Sequence, residues 1–140
     1  MRFFVYLKIN NQKKNKMKAK YQSVLNLGQE LEIKNGDVKE ENGVLHVSGT
    51  AKNQYEKNLL WDEIKKIGGE NPTDIVADIT VENTSLFATH TVKSGETLGK
   101  IAKQYYGNAS KYNAIFEANT NILKSADLIH PGQELVIPNL

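Results

Sequence analysis

His90-Thr-Val-Lys-Ser-Gly-Glu-Thr-Leu98 decides how the second half of this 140-residue chain folds. His90, Thr91, Val92 and Lys93 read as a strand and Ser94-Gly95-Glu96-Thr97 as a turn. From Leu98 the apolar spacing switches to i, i+3, i+4, i+7 with Ile101, Ala102 and Tyr105, which predicts a helix. Tyr106-Gly107-Asn108 ends that helix. Ser110 can cap the next, where Tyr112, Ile115, Phe116 and Asn119 again follow helical spacing. A loop through residues 120–130 reaches Pro131-Gly132, and Glu134-Leu135-Val136-Ile137 closes as a strand before Pro138. The order is β-α-α-β.

Upstream, residues 83–89 break periodicity and read as a linker. Before them, Tyr21, Val24, Leu25, Gly28 and Leu31 predict one amphipathic helix over 18–33, ended by Asn35-Gly36. Asn42-Gly43 separates two strand-like runs and predicts a hairpin, because a type I′ turn needs two residues that tolerate positive φ. Asn53 is placed to cap a helix over 54–67 with Leu60, Ile64 and Ile67 on one face, stopped by Gly68-Gly69. Ile75, Ala77, Ile79 and Val81 then alternate with Val76, Asp78 and Thr80 along a last strand. Trp61 points more than about 100° from the Leu60/Ile64/Ile67 stripe and is expected to meet the following domain.

Charge is unevenly spread. The formal net charge is +2, yet residues 1–20 carry seven basic side chains and no acid, residues 21–89 six Lys against 12 acids, and residues 90–140 five Lys against four acids. The acidic body argues against nucleic acid as a partner, since phosphate binding needs clustered cations on the folded surface. The apolar patch from Phe3 to Ile9 is broken by Lys8, passes into a polar basic run with no small-residue cleavage site, and falls short of the ~20 apolar residues of a membrane span. Residues 1–17 therefore read as a basic arm or as upstream sequence before a start at Met17, and the chain as cytoplasmic, without a transmembrane segment. With no cysteine, disulfides, thiolate zinc sites and Cys nucleophiles are excluded.

The motif positions His90–Leu98, Ile101-Ala102, Tyr106-Gly107, Asn119 and Ile129–Pro138 together resemble a LysM domain over residues 90–138. Two departures are the loop Gly107–Lys111 with Tyr112 and Phe116, and the segment Asn121–Asp127, which is longer than the form usual in secreted wall-binding members. They are similar to a subtype from cytoplasmic and phage-tail proteins. Residues 18–82, through their α-β-β-α-β order and the Gly49-Thr50 that follows the second strand, resemble a BON domain, a non-catalytic module. The α+β pairing of the two is similar to that of small bacterial cytoplasmic potassium-binding proteins.

The LysM resemblance implies a shallow groove for N-acetylglucosamine-containing glycan, peptidoglycan or chitin. Gly95, Glu96, Thr97 and Leu98 match its first wall and Ile122, Leu123, Lys124, Leu128 and Ile129 its second. The residues also allow plainer roles: Gly95 making the turn, Thr97 capping the helix, Leu98 in the core. The alternative ligand is a potassium ion, which needs a ring of carbonyl or carboxylate oxygens. Glu40, Glu41, Asp74 and Asp78 are available donors but read equally as a solvated face, and no potassium site is named. His46, His90 and His130 lack metal-ligand spacing, and no nucleophile-elbow or phosphate-loop pattern occurs. A non-enzymatic, monomeric binding protein is expected, with no cofactor other than a possible K⁺.

Overall fold

Asn42-Gly43 turns the chain as its composition demands, with φ of 53° and 77°, and joins β1 (Lys34–Glu41) to β2 (Val44–Ala51). The structure, a computed structural model, describes residues 15–140 and divides into two units between Glu82 and Asn83. The two strands pair antiparallel from Glu41↔Val44 to Lys34↔Thr50. β3 (Ile75–Val81) lies parallel to the other edge of β2, from Leu45↔Ile75 to Ala51↔Val81, so the sheet order is β1-β2-β3. A parallel neighbour needs a crossover. That crossover is α3 (Gln54–Gly68), whose N-cap Asn53 accepts a 2.9 Å hydrogen bond from the Glu56 amide.

The helix expected over 18–33 is two. α1 (Lys16–Lys20) and α2 (Gln22–Glu30) are separated at Tyr21, where ψ moves to +23°. Tyr21 is fully buried among Val24, Leu25, Val38, Leu45, Leu60, Ile64, Ile75 and Ile79, and its hydroxyl donates to Asp74 Oδ1 at 2.5 Å. Asn35-Gly36 does not stop the helix. The helix closes earlier by a Schellman motif, Ile33 N–H to Gly28 C=O and Glu32 N–H to Gln29 C=O, both 3.1 Å, with Glu32 at φ +55°. Asn35, at φ +54°, instead makes a bulge in β1 between Lys34 and Asp37. Trp61 packs against the core of its own unit. The Glu40 carboxylate accepts the Met17 and Lys18 amides at 3.2 and 3.1 Å, so the end of the expected arm belongs to α1. The rest of that arm, with the Phe3–Ile9 patch, lies outside the described residues.

In the second unit β4 (Ala88–Thr91) pairs antiparallel with β5 (Glu134–Ile137). Between them run α4 (Leu98–Tyr106), a 3₁₀ turn (Ala109–Lys111) and α5 (Tyr112–Ala118). Val92, Leu98, Ile101, Ala102, Ile115, Leu123, Leu135 and Ile137 are buried. The segment expected as a linker enters the fold before residue 90. Phe87 N–H reaches Ile137 C=O at 2.9 Å, and Asn139 donates to Thr84 C=O at 3.1 Å. The α+β class is the one expected.

Candidate functional site

The first wall of the candidate site is a turn tied on itself. Gly95 at φ +83° occupies the position of a type II turn that requires positive φ, and Glu96 N–H closes the turn on Lys93 C=O at 3.2 Å. The Glu96 side chain closes it a second time. Its Oε1 accepts the Lys93 amide at 2.7 Å and lies 2.8 Å from His90 Nε2. Burial raises the Glu96 pKa, but the hydrogen bonds from His90 and Lys93 and the charges of both outweigh it, so the carboxyl lies below its ordinary value. Thr97 then caps α4, its hydroxyl accepting the Lys100 amide at 3.1 Å.

The opposite wall follows α5. Leu123 is buried and anchors the segment, and Leu128 N–H closes a turn on Ser125 C=O at 3.2 Å. Pro131-Gly132 forms a turn between His130 and Gln133, and Val92 and Gln133 are joined at 2.9 Å. Both walls are thereby tied to the β4–β5 ribbon. Between them opens a cleft of about 450 Å³ lined by Glu96, Thr97, Leu98, Gly99, Tyr112, Ala126, Asp127 and Ile129. Pockets for small ligands span roughly 300–1,000 Å³, so this one suits one or two sugar rings. The exposed Tyr112 ring and Ile129 offer apolar faces to sugar C–H surfaces, and Glu96 and Asp127 offer acceptors to hydroxyl or amide donors.

Of the nine residues singled out from sequence, Glu96, Thr97, Leu98 and Ile129 line this cleft. Leu98 is buried and supplies its floor. Gly95 makes the turn behind the wall, Leu123 is core, and Ile122, Lys124 and Leu128 are exposed without forming the lining. Gly99, Tyr112, Ala126 and Asp127 were not singled out for the site. A Cβ at Gly99 would meet Thr97 Oγ1 at 3.8 Å and Ala109 at 3.9 Å, ordinary contact distances, so the fold does not require glycine there and its place in the lining is not marked by any backbone need. Nothing local in the sequence marks Ala126 or Asp127.

Three of the four acids weighed as cation ligands are engaged elsewhere. Glu40 caps α1, Glu41 pairs with Lys39, and Asp74 takes both Lys20 and the Tyr21 hydroxyl. Asp78 stands on the exposed sheet face in the row Asp37–Ser48–Asp78. Among the described residues no three His, Asp or Glu side chains converge to hold a metal ion. His90 lies between Glu96 Oε1 and the Tyr105 hydroxyl, each 2.8 Å from one of its ring nitrogens. No helix among the described residues is long and apolar enough to cross a membrane.

Residues 90–138 match the LysM domain family. The potassium binding protein Kbp of Escherichia coli is 45% identical over 97 residues, which cover 69% of this chain and 64% of that protein. A protein of Deinococcus radiodurans is 49% identical over 49 residues, 35% of this chain and 19% of its own. YqbP of Bacillus subtilis is 37% identical over 59 residues, 36% of this chain and 27% of its own. The chain thus spans less than two thirds of the length of each of these relatives.

Proposed function

We propose that this chain is a non-catalytic binding protein whose second unit takes an N-acetylglucosamine-containing glycan, of peptidoglycan or chitin type, between Glu96–Gly99 and Ala126–Ile129. The carrying observation is the cleft of about 450 Å³ whose lining combines an aromatic ring, aliphatic side chains and two carboxylates. The LysM match over the same residues supports it. Titration with a chito-oligosaccharide is expected to shift the amide resonances of Glu96–Gly99, Asp127 and Ile129. Silence at millimolar sugar overturns the reading.

A second reading is potassium-ion binding by the two units acting together, in a cytoplasmic monomer whose first unit is BON-like. It is favoured by the identity to a potassium binding protein over 97 residues, a span longer than the 49 residues that match LysM. Backbone carbonyls that replace the hydration shell of K⁺ leave no side-chain signature, so the engaged carboxylates of the first unit do not count against it. Millimolar K⁺ is expected to raise the melting temperature more than Na⁺ at equal ionic strength. Equal responses remove selective binding. The two readings place the chain differently, because a wall glycan is out of reach of a cytoplasmic protein, and titrating one sample with both ligands separates them.

A further inference from the structure

The Glu96 carboxylate is fixed from behind. Every hydrogen bond it makes with described residues ends on Oε1, from the His90 ring at 2.8 Å and the Lys93 amide at 2.7 Å. His90 is itself clamped. It is buried, its Nδ1 lies 2.8 Å from the Tyr105 hydroxyl, and the two rings meet edge to face with centroids 5.4 Å apart. Glu96 nevertheless lines the cleft. An ionised carboxylate offers about four lone-pair sites, and two are used here, so Oε2 remains to meet a donor on a ligand.

We propose that Glu96 is the charged hydrogen-bond acceptor for the sugar in this cleft, through Oε2, and that His90 is a positioning residue that holds it there. This rests on the glycan reading above and names the chemistry of the ligand edge: a hydroxyl or acetamido N–H that donates. A hydrogen bond to an ionised acceptor is roughly twice as strong as a neutral one. A carboxylate already locked through its other oxygen loses little rotamer freedom when the ligand arrives. Tyr105 and the Lys93 amide complete the lock, so the acceptor is set by the β4–α4 junction before any ligand binds.

Isothermal titration of the full chain with chitotetraose tests both parts. Glu96→Gln keeps an oxygen for His90 and Lys93 but turns a donor toward the sugar, and should weaken binding about tenfold. His90→Phe keeps the ring volume without the nitrogen and should weaken it about fivefold. His90→Gln, which can donate from a similar place, should stay within about twofold of native. Because His90 acts through Glu96, the Glu96→Gln/His90→Phe double variant should bind like Glu96→Gln alone. Native-like binding by Glu96→Gln overturns the acceptor role. Multiplied losses in the double variant, or loss in a folded His90→Gln, overturn the positioning role. If native protein binds no sugar, the glycan reading fails and this role with it.

Discussion

Asn119 offers the sharpest test of how the second unit is held together. The residue is 2% exposed, and its Nδ2 donates to Ile115 C=O at 2.7 Å and to Val136 C=O at 2.8 Å, while Oδ1 accepts the Val136 amide at 2.9 Å. Among the described residues β5 has only β4 for a partner, so one side chain does for Val136 what a third strand would do. Each bond contributes about 1 kcal/mol net, and removing the amide also strands the Val136 groups, so Asn119→Ala should cost about 3 kcal/mol or more. A unit of roughly 60 residues has about 3–9 kcal/mol in all, so the loss would leave it marginal. Asn119→Asp is more discriminating. It retains the acceptor but sets an oxygen against two carbonyls, so the folded unit prefers the carboxylic acid, and the new group titrates above its unfolded value. Stability relative to native should therefore fall as pH rises above about 4. Urea unfolding followed by amide resonances of the second unit at pH 4 and pH 7 measures the difference. An Asn119→Asp variant within about 0.5 kcal/mol of native at pH 7 would refute the argument.

Three further outcomes follow from the first unit, where Trp61 fluorescence serves as the probe in urea. Glu32 sits in the left-handed region at the Schellman position, so Glu32→Gly should stabilise by about 0.5–1 kcal/mol, and a lower midpoint would show that the strain is absent. Gly68 lies in α3 where a Cβ would meet the Tyr21 hydroxyl at 2.2 Å and Pro72 Cβ at 2.8 Å. Gly68→Ala should cost about 1–3 kcal/mol despite the better helix propensity of alanine, and a stabilised variant would contradict the contact. Asp74 is held below its ordinary pKa by hydrogen bonds, first from Lys20 and then from Tyr21. Its contribution is complete above pH about 4 and is lost as pH falls through the folded pKa, so Asp74→Asn should flatten the acid limb of the stability profile. An unchanged limb would place the acid sensitivity elsewhere.

Local signals in the sequence were reliable wherever one chemical requirement dominated. Asn42-Gly43 had a single good use, and Asn53 and Thr97 both cap the helices that their positions announced. Asn35-Gly36 shows the limit. The same dipeptide satisfies a helix stop and a strand bulge equally well, and what decided between them was the Glu32 turn upstream, which no glycine marks. Tyr21 is inward-facing as its spacing indicates and is fully buried, yet the single helix did not hold. Helical spacing records which side chains face inward but not that the backbone leaves helical geometry at one of them, as it does at Tyr21 with ψ +23°. Trp61, off the apolar stripe by angle, still reaches its own core because an indole is wide enough to bridge that angle.

The two walls of the cleft differ in the same physical way. The first is contiguous, Glu96–Gly99, and its shape follows from a positive-φ turn, a cap and a buried leucine whose roles are written in adjacent residues. The plain roles are compatible with a place in the cleft: Leu98 is core and floor at once, and Thr97 caps α4 while lining the cleft. The second wall depends on where α5 ends and how the loop after it is tied down. Leu123 is drawn into the core, and the apolar residues around it, Ile122 and Leu128, stay outside the groove wall that the LysM resemblance implied for them. Ala126, Asp127 and the distant Tyr112 take their place because of that anchoring. A groove wall made by a loop is therefore set by the loop's buried residue, and reading it requires knowing which of several apolar side chains that residue is.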